Sequence, residues 1–480
     1  MIRHEIIRLS KQTLVYGFGY VVARMINFLL LPFYSHHLAP SEYAVISLIY
    51  AFIAFMNIFY HYGLESAFLR FYSGAGLKEA CEKKDVFTTV LFSLIITGAI
   101  FSLLIAFSAK GVSQVLLRSD QYAHIIRLTA LILLLDALFL IPLHYLRINN
   151  KAAVFTTITL INVLINVGLN IYLIRFRGMG IEGVFIGNIA ASGFNVLILI
   201  PIVIRNWNWR ISPSLWKKML LFGLPFVPGG LSSMIIELSD RYMLQGFRGL
   251  EEVGLYSAGH KLGIFMMLVV MAFRFAWQPF FLQKHKDPQA PYLFSKIMTW
   301  FVFIMTIIFL SVTFFIHEIV SFEILGRHFI QEGYWEGMVV VPYILAAYLF
   351  NGIYIMFHPA IFYSGKTWVV SLIVGIAACV NVGLNLLLIP RLGMTAAGIS
   401  SLSAYMFMAL ATYLIVKKWM PVRYEWKNLL VMSVLTIGAL LIYLLSPQAG
   451  AAVKILIVVL YITAVMPFIY PRKRKINRDA

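Results

Sequence analysis

Asn166-Val-Gly-Leu-Asn170 returns further along the chain as Asn381-Val-Gly-Leu-Asn385. The match runs on without a gap, with Gly178-Met179 falling on Gly393-Met394 and Gly183 on Gly398. A fainter pair lies upstream of both. Ser41-Glu42-Tyr43-Ala44 resembles Glu251-Glu252-Val253-Gly254, and Ser47 falls on Ser257. Apolar helices resemble one another by chance, so either match alone carries little. Two matches in the same order, at one offset of about 210 residues, mark an internal duplication.

The duplicated unit belongs to a membrane. Of the 480 residues, 61% are hydrophobic and 12% charged, and the mean hydropathy is +0.85. A soluble domain carries about 45–50% apolar and roughly 25% charged residues. No soluble fold of this length hides so much apolar surface, so lipid is the solvent for most of it. Runs of about 20 mostly apolar residues, the length that crosses a bilayer, fall near 12–33, 43–64, 86–108, 124–146, 152–174 and 181–204. A second set falls near 217–239, 253–275, 294–316, 338–360, 368–389 and 395–416, and two more near 428–446 and 452–470. The first run is too long for a signal-peptide core and lacks a small-residue cleavage site, so it reads as a retained span. The expected fold is all-α and integral to the membrane, with about 14 transmembrane helices. It has two six-helix lobes, 1–210 and 211–422. Residues 423–480 add two helices and a basic tail. Six is an even number, so both copies enter from the same side. They are parallel repeats about an axis along the membrane normal, an arrangement typical of secondary transporters with a substrate site between the lobes.

The formal net charge of +19 is spread over short clusters between apolar runs. That excludes a basic nucleic-acid-binding domain and sets orientation instead. Lys and Arg concentrate about three to one in alternate loops, around Arg3–Lys11, Lys78–Lys84, Arg147–Lys151, Arg205–Lys218, Lys284–Lys286, Lys366, Lys417–Lys427 and Arg472–Arg478. By the positive-inside rule both termini are cytoplasmic, as an even span count requires. Cys81 and Cys379 offer neither a disulfide framework nor a metal spacing. Ser364-Gly365-Lys366-Thr367 ends like a phosphate-binding loop but has Ala360 where such a loop needs its first glycine. No nucleophile elbow, zinc motif or carboxylate pair stands out. The longest external segment, about 317–337, is thin for catalysis. A non-enzyme without cofactor or metal is expected.

Charge inside a bilayer costs at least about 2.5–3.5 kcal/mol on insertion scales, so such residues face a cavity or a partner. Gly17, Tyr20, Arg24 and Asn27 share one helical face of span 1. Either they form an anion-binding wall, or Arg24 pairs structurally, for instance with Glu65. In span 8, His260 and Lys261 would face the same central cavity unless Lys261 snorkels to an interface; Arg274 lies at the cytoplasmic end, where a topogenic role competes. Asn57, His61 and Glu65 repeat at four-residue intervals, followed by Arg70. This stripe either binds substrate or packs. Asp136 shares a face with His144 and Arg147; Asp136 and Glu65 are candidates for ion coupling, with a buried pair to an arginine as the alternative. Asn162, Asn166 and Asn170 read as interhelical hydrogen-bonding groups. Phe222-Gly-Leu-Pro-Phe-Val-Pro-Gly-Gly230 opens span 7, where Pro225, Pro228, Gly229 and Gly230 form either a hinge or a plain kink.

Several of these segments also resemble a known family. Leu38-Ala-Pro-Ser-Glu-Tyr-Ala-Val-Ile-Ser-Leu48 is similar to the L-x-P-x-E-Y-G-x-Y-S segment of the Wzx-type, RfbX-like polysaccharide flippases, with Ala44 in place of the usual glycine. Gly63-Leu-Glu-Ser-Ala-Phe-Leu-Arg70 resembles the end of their second span. Asp240-Arg241-Tyr242 and Glu252-Val-Gly-Leu-Tyr-Ser257 resemble its counterpart in the second half. The resemblance covers about the first 420 residues. It implies the MATE-like fold of the multidrug/oligosaccharidyl-lipid/polysaccharide exporter superfamily in a bacterial inner membrane. It also implies turnover of an undecaprenyl-diphosphate-linked oligosaccharide from the cytoplasmic to the periplasmic leaflet, by alternating access, for O-antigen, capsule or exopolysaccharide synthesis. Polysaccharide polymerase and glycosyltransferases are the implied partners, besides lipid. Arg24 and Lys261 fit the anionic carrier. A peptidoglycan-precursor flippase usually carries more cavity arginines, a drug/cation antiporter wants an acidic cavity, and a membrane polymerase or ligase is the enzymatic alternative.

Overall fold

The computed structural model describes residues 21–22, 24–26, 28–74, 83–284, 287–324, 326–446 and 450–469. Among them twelve helices are long and apolar enough to cross a membrane, or thirteen if one bent pair counts as a span. The first expected span, 12–33, lies largely outside the described residues. The architecture is therefore the expected all-helical membrane fold of about fourteen spans.

The chain forms two units: Met1–Ala258 with Val382–Ala397, and Gly259–Asn381 with Gly398–Ala480. In the first, α1 (Leu30–His37) leads into α2 (Pro40–His61), which starts cleanly because Pro40 opens the helix and Glu42 accepts the Ala39 N–H at 2.8 Å. Tyr62 (φ 31°) and Gly63 (φ 77°) then take left-handed conformations, and the chain restarts as α3 (Leu64–Tyr72). There follow α4 (Lys83–Phe107), α5 (Ala109–Leu117), α6 (Ala123–Ile148) and α7 (Ala152–Ile171). After α7 a π turn over Tyr172–Phe176 leads to α8 (Gly180–Asn206). Leu64, Phe68, Phe87, Leu94, Ile141 and Met219 are buried in one apolar core. α4 lies against α6 at Gly98, where an added Cβ would sit in ordinary contact 3.6 Å from Ala137 Cβ.

Ser212 Oγ accepts the Leu215 N–H and caps α9 (Pro213–Gly223). A bend of 42° separates α9 from α10 (Phe226–Arg248). At that break Gly223 meets Gly63 backbone to backbone: a Cβ on Gly63 would lie 2.1 Å from Gly223 O. Next comes α11 (Leu250–Gln283), whose first turns belong to the first unit and whose remainder to the second.

The second unit contains α12 (Ala290–Phe314) and α13 (Ile316–Ser321), then a two-residue hairpin pairing β1 (Glu323–Ile324) with β2 (Arg327–His328) antiparallel. A 3₁₀ stretch over Glu332–Val340 continues into α14 (Val341–Met356) and α15 (His358–Ser364). Gly365 (φ 68°) turns the chain into α16 (Trp368–Leu392), which is followed by α17 (Met394–Val416). Glycines set the crossings here too. A Cβ on Gly352 would lie 2.3 Å from the Phe301 ring, and one on Gly263 would lie 2.5 Å from Ile344. The last pair, α18 (Trp426–Leu445) and α19 (Ala451–Ile469), packs on α12, with Tyr443 stacked on Phe314 and Tyr461 on Phe303. Lys454, near the start of α19, reaches Glu318 at 2.5 Å, and Lys296 on α12 pairs with Glu425 at the start of α18.

Candidate functional site

The polar residues of the first unit converge between α2, α3, α6 and α8. Asp136 on α6 accepts a hydrogen bond from Ser192 Oγ on α8 at 2.7 Å. One turn away on α8, Asn188 donates to the Tyr50 hydroxyl of α2 at 3.2 Å. The Ser192 hydroxyl has one proton, and the shorter contact assigns it to Asp136 rather than to Asn188 Oδ1 at 3.5 Å. The partner expected as an alternative for Asp136 was an arginine; its hydrogen bond is to serine.

His61 and Glu65 sit a few residues further along. Their four-residue spacing implied one unbroken stripe, and the helix instead breaks at Tyr62-Gly63. His61 Nδ1 still reaches Glu65 Oε2 at 3.3 Å across the break. Both side chains, with His144 of α6, lie within electrostatic range of one another, and His61 is within range of Asp136. Asn57 Oδ1, His61 Nε2 and His144 Nδ1 are buried with no hydrogen-bond partner among the described residues. Buried polar atoms are rarely left so in an apolar bundle; Asn57 and His61 are one helical turn apart on α2, and His61 and His144 lie within electrostatic range of one another. Among the described residues no group of three or more His, Cys, Asp or Glu is arranged to hold a metal.

The other expected site residues are dispersed. Arg24 is exposed on a helical stretch before α1, and Asn27, with Gly17 and Tyr20, lies outside the described residues. The ionic contact described for Glu65 is with His61. Arg70, in the last turn of α3, has its guanidinium 4.4 Å from the Phe222 ring centroid and 5.9 Å from that of Phe71. In the second unit His260 is buried against Tyr348, Lys261 is half-buried, and Arg274 is exposed within electrostatic range of Tyr354 and His358. Pro225 sits in the 42° break, while Pro228, Gly229 and Gly230 form the first turns of α10. Asn162 donates to Ala191 O at 2.7 Å and joins α7 to α8, whereas Asn170 bonds back to Asn166 within α7.

A second polar cluster went unrecognised in the sequence. The seventh span was expected to end near residue 239, yet α10 runs on to Arg248, and Asp240 and Arg241 are buried inside it. Tyr256 of α11 donates to Asp240 Oδ2, and Asp240 Oδ1 accepts the Arg241 N–H. The neighbouring Tyr242 hydroxyl donates to Leu48 O of α2 at 2.9 Å. Ser47 meets its own repeat counterpart, Ser257, with their hydroxyls 2.8 Å apart. Arg248 donates to the carbonyls of Ile389 and Pro390 at the end of α16, and Glu252 accepts the Met394 N–H that opens α17. The Asp240-Arg241-Tyr242 run beside the repeat was the signal that could have found this corner.

These features define a polytopic helical membrane protein with polar groups held inside an apolar bundle. The fold is that of "Lipid II flippase MurJ, inward closed conformation", with a TM-score of 0.76 and 15% identity over 95% of this chain and 99% of that one. The Vibrio cholerae MATE transporter VcmN in its bent form matches with a TM-score of 0.55 at 15% identity, over 85% of this chain and 96% of that one. An inward-facing multidrug resistance MATE family transporter of the MOP superfamily matches at 0.60 and 13%, over 86% and 97%. No curated protein matches the chain significantly in sequence. The family profile "Polysaccharide biosynthesis protein" matches residues 37–332, and the chain belongs to that family.

Proposed function

We propose that this protein is a flippase that carries an undecaprenyl-diphosphate-linked oligosaccharide from the cytoplasmic to the periplasmic leaflet by alternating access, for O-antigen, capsule or exopolysaccharide synthesis. The observation that carries the reading is family membership across residues 37–332 on a fold shared end to end with a lipid-linked-precursor flippase. The protein sits in the bacterial inner membrane with both termini cytoplasmic; a periplasmic reporter signal from a fusion after Ala480 would reverse that orientation. The diphosphate's counter-charge is assigned to Arg24 and Lys261, because a fixed cation attracts phosphate. Asp136, His61 and Glu65 are the coupling groups, and the break at Pro225 is the hinge.

Arg24→Ala, Lys261→Ala and Asp136→Asn should each reduce surface polysaccharide at unchanged protein level, while lipid-linked repeat units accumulate in the cytoplasmic leaflet. Normal surface polymer in all three removes these residues from the mechanism. The fold match favours a second reading, export of a lipid-linked peptidoglycan precursor. Depletion then arrests wall synthesis and leaves surface polysaccharide intact.

A further inference from the structure

Three of the lysine-bearing loops that the sequence places on the cytoplasmic side meet in the second unit. The turn between α11 and α12, the end of α15 and the stretch after α17 enclose a cavity of about 300 Å³. That is the small end of the range of small-molecule sites, about 300–1,000 Å³, and suits one ring rather than a chain. One wall comes from the Ser364-Gly365-Lys366-Thr367 run. Gly365, at φ 68°, turns the chain just after Ser364, which lines the cavity as Ala360 does one turn earlier. Beyond the turn, the Lys366 ammonium lies 4.7 Å from the ring centroid of Trp419, a lining residue from the third loop. Aromatic residues near a membrane surface commonly form a belt at the lipid interface. Trp419 and Tyr363 are instead half-buried and line a concave space together with Pro288, Pro291 and Met420. The Tyr363 hydroxyl donates to Phe281 O.

The hydrogen-bonding capacity left over in these walls points to the ligand. Asp287 Oδ2 accepts from Lys284 at 2.8 Å, and Oδ1 accepts the Gln289 N–H at 2.9 Å. A carboxylate offers about four acceptor sites, so Asp287 can take further donors. Ser364 donates its one proton to Ile361 O at 3.0 Å and is likewise left as an acceptor. The Trp419 indole N–H has no hydrogen-bond partner among the described residues. The walls are therefore rich in acceptors and hold one open donor. An ionised phosphate set against them would place oxygen on oxygen. A sugar brings several hydroxyl donors for Asp287 and Ser364, an oxygen for the indole N–H, and a C–H face that packs on an aromatic ring and on proline. Lys284 already balances the charge of Asp287, so a neutral ligand meets no unpaired carboxylate.

We propose that this cavity is a saccharide-binding site, which takes one neutral sugar ring of the lipid-linked cargo at the cytoplasmic face. The proposal rests on the polysaccharide reading above and on the orientation that places these loops in the cytoplasm. It assigns the choice of sugar to Asp287, Ser364 and Trp419, separately from the cations assigned to the diphosphate.

The test uses the purified full-length protein in detergent, titrated with glucose, galactose, mannose, rhamnose and N-acetylglucosamine while tryptophan fluorescence is followed. At least one sugar should give a saturable change that Trp419→Phe abolishes. Asp287→Asn keeps the shape, turns one acceptor into a donor, and should weaken that binding about tenfold. Ser364→Ala serves if the first variant accumulates poorly. The proposal is overturned by the absence of a saturable change with every sugar, by a change that survives Trp419→Phe, or by saturation with inorganic phosphate alone. In cells, Asp287→Asn should lower surface polymer at unchanged protein level; sugar binding lost with polymer unaltered overturns the role in cargo selection. Binding to the purified protein needs no transport. Saturable sugar binding by a protein whose deletion leaves surface polymer intact would therefore refute the polysaccharide reading and leave the site standing.

Discussion

Glu425 shows how a single carboxylate is fixed at the edge of the membrane. Burial alone would raise its pKa, but hydrogen bonds from Lys296, Thr299 and Asn428, together with the Lys296 charge, outweigh that and hold it below its ordinary 4.5. A carboxyl depressed in the folded state adds stability above its unfolded value and loses it as pH falls through the folded one. Glu425→Gln should therefore lower the Tm of the detergent-solubilised protein at neutral pH. The difference from the parent should shrink to nothing in acid below the folded value. A difference independent of pH would assign the loss to packing. Little of this residue-scale chemistry was legible in the sequence. Spacing placed His61 near Glu65 correctly, because two helical segments joined by a tight left-handed turn keep them adjacent. It could not pair Asp136 with Ser192, or Lys296 with Glu425, because those partners lie 56 and 129 residues apart.

At the scale of the element, broken helices matter more than straight ones. α2 breaks at Tyr62-Gly63 and the α9–α10 pair at Leu224-Pro225, and the breaks touch through Gly63 and Gly223. Gly63→Val adds a Cβ where a carbonyl oxygen already sits and forces a residue poorly suited to φ 77°. Overpacking of this kind costs about 1–3 kcal/mol. The variant should accumulate poorly and melt several degrees lower; an unaltered Tm would mean the two breaks separate freely. The hydropathy reading found most helices, since apolar length is what a bilayer demands. It ended the seventh span near residue 239, where α10 continues to Arg248. A composition window counts Asp240, Arg241 and Tyr242 as polar residues without knowing that Tyr256 bonds Asp240, Leu48 O accepts from Tyr242 and Glu237 O accepts from Arg241.

For the whole molecule, the duplication did what hydropathy cannot: it predicted which segments correspond. That Ser47 and Ser257 would meet was not in the repeat itself, since correspondence between copies says nothing about contact. The attachment of the α18–α19 pair is electrostatic as well as apolar. Lys454 is buried, 2.5 Å from Glu318, with its ammonium 5.8 Å from the Phe315 ring and 5.7 Å from that of Tyr443. Lys454→Met should destabilise by about 1–3 kcal/mol, as for a charged hydrogen bond with one partner removed. Adding Glu318→Gln should recover most of the loss, because no charge is then left alone. Thermal unfolding of both variants in detergent checks this. A double variant no better than the single one would make the interaction a surface pair of little weight.

That pair also bears on biogenesis. The ribosome delivers α19 well after α13, with a lysine that the translocon would accept reluctantly in an isolated segment. Glu318 is synthesised 136 residues earlier. The α18–α19 hairpin thus enters the bilayer toward a counter-ion made before it, and its insertion is coupled to correct assembly of what came earlier.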